Sequence, residues 1–123
     1  MTDSTLTDVE SGAAFIAAMN RQQPTRWQPQ SGIELRFQYG ESGGWALELS
    51  IQPDRQYPGL VRQILGRCYE RDAETEGAHI FLREANVLTI GWLLWQPAVE
   101  YPQAVRELFQ LAGVEFGDVD RTD

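Results

Sequence analysis

The chain has 123 residues, 42% hydrophobic and 23% charged, enough apolar side chain for one core and too much for a disordered segment. Ten arginines, no lysine and eighteen carboxylates leave a net charge of −8, a field that repels nucleic acid and anionic membrane surfaces. The lone Cys68 excludes an intrachain disulfide and fits a reducing compartment.

The start, Met1-Thr2-Asp3-Ser4, lacks a signal-peptide pattern, and the longest apolar run, Ile90 to Trp95, is too short to span a bilayer. The expectation is a cytoplasmic protein with one domain over residues 1–123, flexible at 1–6 and 117–123. Thr7 and Glu10 have capping-box spacing, and Val9, Ala13, Ile16 and Met19 recur at helical spacing, predicting a helix over 8–20. Residues 21–32, with Pro24, Pro29 and Gly32, read as a connector in which Arg26-Trp27-Gln28 forms a short edge strand.

Ile33, Leu35, Phe37 and Tyr39 then alternate with polar residues, as do Trp45, Leu47, Leu49 and Ile51. They predict a hairpin around Gly40–Gly44. Pairing Tyr39 with Trp45 sets Arg36 opposite Glu48 on the polar face, and a one-residue slip loses that agreement. Pro58 opens a second helix, running to about Arg71, with Leu60, Val61, Ile64, Leu65, Cys68 and Tyr69 as its apolar stripe. Beyond the acidic stretch Asp72 to Gly77, Ile80 and Leu82 followed by Leu88, Ile90, Trp92 and Leu94 predict a second hairpin, turning at Glu84-Ala85-Asn86. Pro102 opens a third helix with Val105, Leu108, Phe109 and Ala112 on one face, and Gly113 stops it.

The two halves echo each other. Gln52-Pro53, Tyr57-Pro58 and Val61-Arg62 return as Gln96-Pro97, Tyr101-Pro102 and Val105-Arg106, at a constant offset of 44 residues. Each copy lies between a hairpin and a helix, and neither unit can bury its apolar side alone. The fold class that follows is α+β: an antiparallel sheet from two ββα units, an N-terminal helix, and helices packed on the sheet.

The residue types that carry catalysis are sparse. His79 stands without a second His or a Cys nearby in sequence, and Cys68 falls on an apolar helical stripe where a thiol packs as a small hydrophobe. No Cys/His spacing suits a metal, and Gly40–Gly44 joins two strands where a phosphate loop would open a helix. Glu70, Asp72, Glu74 and Glu76 lack the ligand order of a calcium loop and read as a solvated run. The chain is therefore read as non-catalytic, with no metal and no cofactor.

One segment exceeds the needs of a one-sided strand. In Val87 to Trp95, the residues Leu88, Ile90, Trp92 and Leu94 suffice for the core, yet Val87, Leu93 and Trp95 point to the opposite side, where Phe81 joins them. Such a face is either covered by the chain itself or used for dimerisation or a protein partner. Gly91 on it would admit a second backbone. Trp27 is a further candidate contact.

The order of these elements, with the acidic composition, resembles the class I type III secretion chaperones of Gram-negative bacteria, a group that includes chaperone-like regulators. The resemblance rests on the helix near 8–20, the hairpin 33–51, the helix 58–71, the strands 79–95 and the helix 102–112. It departs in showing two strands, not three, between the first helices, a gap that the segment around Trp27 would fill. The resemblance implies a homodimer, with strand and second-helix surfaces at the contact, and an effector or regulator bound without ATP. An acidic immunity protein against a basic toxin, using carboxylates such as Glu70, Asp72 and Glu74, is the alternative. A small-ligand or enzymatic pocket between sheet and helices is the third reading.

Overall fold

A computed structural model describes residues 6–39, 44–70, 78–94 and 101–114. In chain order it contains strand β1 (Thr7–Val9), helix α1 (Gly12–Asn20), strands β2 (Thr25–Gln30), β3 (Ile33–Tyr39) and β4 (Trp45–Ile51). Helix α2 (Leu60–Glu70), strands β5 (His79–Arg83) and β6 (Val87–Leu94) and helix α3 (Tyr101–Ala112) follow. The strands form one six-stranded sheet in the order β1-β2-β3-β4-β6-β5. Only the β1–β2 pair is parallel. This is the expected α+β class.

The first hairpin has the register its side chains require. Tyr39 faces Trp45, Phe37 faces Leu47, Leu35 faces Leu49 and Ile33 faces Ile51, so the apolar set of both strands shares one side. Arg36 does lie opposite Glu48, but the ion pairs formed are others. Arg36 Nε bonds Glu34 on its own strand at 2.6 Å, and Glu48 takes Arg83 of β5 at 2.6 Å. The second hairpin pairs Ile80 with Ile90 and Leu82 with Leu88. The two ββα units meet where β4 and β6 run antiparallel, Leu49 against Ile90 and Ile51 against Leu88.

The N-terminal segment departs from expectation. Residues 7–9 are a strand beside β2, and the helix begins at Gly12. Thr25 Oγ1 donates to Thr7 O at 2.9 Å and Arg26 Nε to Asp8 Oδ1 at 2.7 Å, which ties the segment to the sheet. Arg26 beside Asp8 holds that carboxyl below its usual range. Ser11, not Thr7, caps the helix, its Oγ accepting from Ala14 N at 3.1 Å. Consequently β2 is an inner strand of six residues where a short edge strand was expected. It is the third strand between the first two helices.

Three helices contribute to one apolar cluster. Phe15 and Met19 of α1, Leu60 and Ile64 of α2, and Val105, Leu108 and Phe109 of α3 all join it. From the sheet it takes Leu35, Phe37, Leu47, Leu49, Leu88 and Ile90, which alternation places on a single face. All three helices therefore pack on that face. Trp27 belongs to the cluster as well: it is only 4% exposed, with its ring 5.8 Å from Phe15 and 6.2 Å from Phe109. As a contact residue it is corrected to a core residue, because its register opposite Leu35 turns it inward. α3 ends where expected, at Gly113, whose φ of +73° suits glycine. A Cβ there would stand 2.9 Å from Arg67 Nη1, the group that donates to Leu111 O at 3.1 Å and ties α2 to the end of α3.

Candidate protein-binding faces

The sheet side away from the helices carries the residues that alternate with the core set. Phe81 and Val87 lie there, both half-buried. Leu93 takes its register position there opposite Ala46, while Trp95 lies outside the described residues. Phe81 does not project as a bare knob. Its ring stacks on His79, 5.4 Å between centroids, and lies under the Arg83 guanidinium at 5.0 Å. Both rings cover Gly91, where a Cβ would stand 3.1 Å from Phe81 Cε1 and 3.2 Å from His79 Nε2. The glycine expected to admit a foreign backbone thus accommodates the chain's own aromatic residues across the strand pair.

Between these groups the face is polar and self-satisfied. Ser50 and Thr89 are buried and share a hydrogen bond of 3.2 Å, and Glu48 is paired with Arg83. A shallow depression of ≈ 570 Å³ runs along it, lined by Glu34, Arg36, Ser50, Arg83 and Val87 among others. Among the described residues no group of His, Cys, Asp or Glu is placed to hold a metal ion. No described helix is long and apolar enough to cross a membrane. His79 is exposed on this face, whereas Cys68 lies on α2. Burial pushes the Cys68 thiol up, so it stays protonated near neutrality. Of the acidic run, Glu70 ends α2, and Asp72, Glu74 and Glu76 lie outside the described residues.

A second face lies on α2, the helix whose surface the resemblance also implied at a dimer contact. α2 buries Leu60 and Ile64 but leaves Val61 at 44%, Leu65 at 54% and Tyr69 at 86% exposure, with Tyr57 before the helix at 49%. Spaced by four, these residues form one ridge along the helix. Tyr57 is held by its hydroxyl, which donates to Gln63 Oε1 at 2.8 Å. A groove of ≈ 510 Å³ opens beside it, lined by Tyr57, Gly59, Leu60, Val61, Arg62 and Leu65. The signal was present in the sequence: six apolar positions make a stripe wider than the face one helix buries against one sheet. Half of that stripe is surplus to the core.

No curated protein sequence matches the chain. One similar solved chain belongs to the heterodimeric complex ExoU–SpcU from the type III secretion system of Pseudomonas aeruginosa. It is 18% identical, over 80% of this chain and 86% of that one, with a TM-score of 0.45. The profile of the HrpV-like family matches residues 1–117. The chain belongs to the HrpV-like family.

Proposed function

We propose that this chain is a non-catalytic protein-binding module of type III secretion, a chaperone or chaperone-like regulator that holds an effector or regulatory protein. The observation that carries this reading is the ridge Tyr57, Val61, Leu65 and Tyr69, apolar side chains kept in water on one side of a helix whose other side is core. Large apolar groups arranged in this way are characteristic of docking faces. Family membership supports the system in which the partner is to be sought. The chain forms a homodimer through the second face of the sheet, with Phe81, Val87, Leu93 and Trp95 at the contact. It acts in the cytoplasm, without cofactor, metal, nucleic acid or membrane.

Affinity capture of the tagged chain from its native host under secretion-inducing conditions, with mass spectrometry of what it retains, tests the reading. The expected outcome is one effector or regulator of the secretion system at near-stoichiometric yield. Recovery of the chain alone, or turnover of a small molecule by the purified protein, would contradict it.

A further inference from the structure

Helix α2 is lightly anchored. It buries only Leu60 and Ile64, and Arg67, through Leu111 O, ties it to the end of α3. Near that tie a groove of ≈ 310 Å³ opens where β3 begins, β4 ends and α2 starts. Ile33, Ile51 and Leu60, all buried, line it together with Arg55 and Val114. Its volume lies at the bottom of the range of ligand pockets, about 300–1,000 Å³, and matches one large side chain better than a separate molecule. Helix α3 leads into it. Gly113 N–H donates to Gln110 O and Val114 N–H to Phe109 O, both at 3.1 Å, a Schellman turn that brings Val114 back onto the core. The sequence then continues Glu115-Phe116-Gly117-Asp118-Val119-Asp120, outside the described residues.

Charge makes the same match. A carboxylate just past a helix C-terminus meets the negative end of the helix dipole, and Glu115 follows α3 at that position. Two guanidiniums stand near to answer it. Arg67 lies against Gly113, and Arg55 lines the groove beside Gly113 and Val114. Both donate to neutral oxygens, Arg67 to Leu111 O and Gln63 Oε1, Arg55 to Ser31 O and Gln30 Oε1. Neither forms an ion pair among the described residues. An aromatic residue between carboxylates thus follows directly on an apolar groove set between guanidiniums that lack a carboxylate. From this we infer that residues 115–120 are a clasp: Phe116 enters the groove, and Glu115 and Asp118 pair with Arg67 and Arg55. The clasp joins the end of α3 to the start of α2, and so sets how firmly the helix that carries the ridge is held. The ridge itself stays open to a partner protein or to a second copy. Where it bears on docking, the inference rests on the protein-binding reading above; the clasp itself needs no partner.

The test uses the full chain alone. Methyl-detected NMR should show nuclear Overhauser contacts from the Phe116 ring to the methyls of Ile51 and Leu60. In hydrogen–deuterium exchange, Phe116→Ser should speed exchange of the α2 amides about tenfold or more, with those of β3 and β4 unchanged. Arg55→Glu should act in the same direction to a smaller extent, and adding Asp118→Arg should restore the wild-type rate. Absence of the Phe116 contacts, or α2 exchange unaltered by Phe116→Ser, overturns the inference. So does exchange raised throughout the sheet, which would make Phe116 a core residue. An Arg55→Glu effect that Asp118→Arg leaves uncorrected overturns it as well. Failure here leaves the protein-binding reading intact, whereas a chain that captures no secretion protein removes that reading and leaves the clasp standing.

Discussion

At the residue scale, backbone conformation and side-chain environment decide what each position tolerates. Ala85 turns between β5 and β6 with φ +63°, and Asn86 beside it has the same value. Asparagine visits the left-handed region readily, whereas the alanine Cβ makes it unfavourable by about 1–2 kcal/mol. Ala85→Gly should therefore leave stability unchanged or raise it by about 1 kcal/mol. Urea denaturation checks this, and a loss of stability would show that the turn is not left-handed at this position. The turn's place was legible from Glu84-Ala85-Asn86; its handedness was not, since alanine carries no such signal. Trp27 shows the opposite limit. A tryptophan between two prolines looks like a surface contact until β2 gives it a register, which then aims it between Phe15 and Phe109.

At the scale of elements, period-two alternation was the strongest signal: the first hairpin has the pairings it dictated, and the second forms over the strands it predicted. The N-terminal boundary was harder to read because Thr7-x-x-Glu10 has capping-box spacing although the cap in the structure is Ser11. The hydrogen bonds of residues 7–9 to β2, long-range contacts invisible to local spacing, decide for Ser11. α2 lies where its stripe predicted, but the stripe came as one set, with no division between core and surface. Spacing alone does not say which half of a wide stripe meets the sheet. Strand β6 carries the converse prediction. Val87→Asp or Trp95→Asp should convert a dimer to a folded monomer, read by light scattering together with circular dichroism. A dimer that persists in both variants would remove the second sheet face from the contact. Unfolding of both would make these residues part of the core.

At the scale of the molecule, the two ββα units join through β4 and β6, and three helices cover one side of the resulting sheet. That arrangement was legible from the echo between the halves. The division of labour between faces was not, because it depends on which side the helices choose and on side chains far apart in sequence: His79 and Phe81 over Gly91, Arg83 on Glu48. Two surfaces of different character result. The outer sheet face is mixed and largely self-satisfied, while the α2 ridge is apolar, arginine-flanked and unpartnered among the described residues. The direct measurement is isothermal titration of the captured secretion protein into wild-type chain and into Leu65→Asp. Leu65 is more than half exposed, so the substitution should change folding stability by no more than about 0.5 kcal/mol. The account predicts affinity weakened about tenfold or more, at least 1.4 kcal/mol, with the melting profile of the free chain preserved. Undiminished affinity in the folded variant would contradict it.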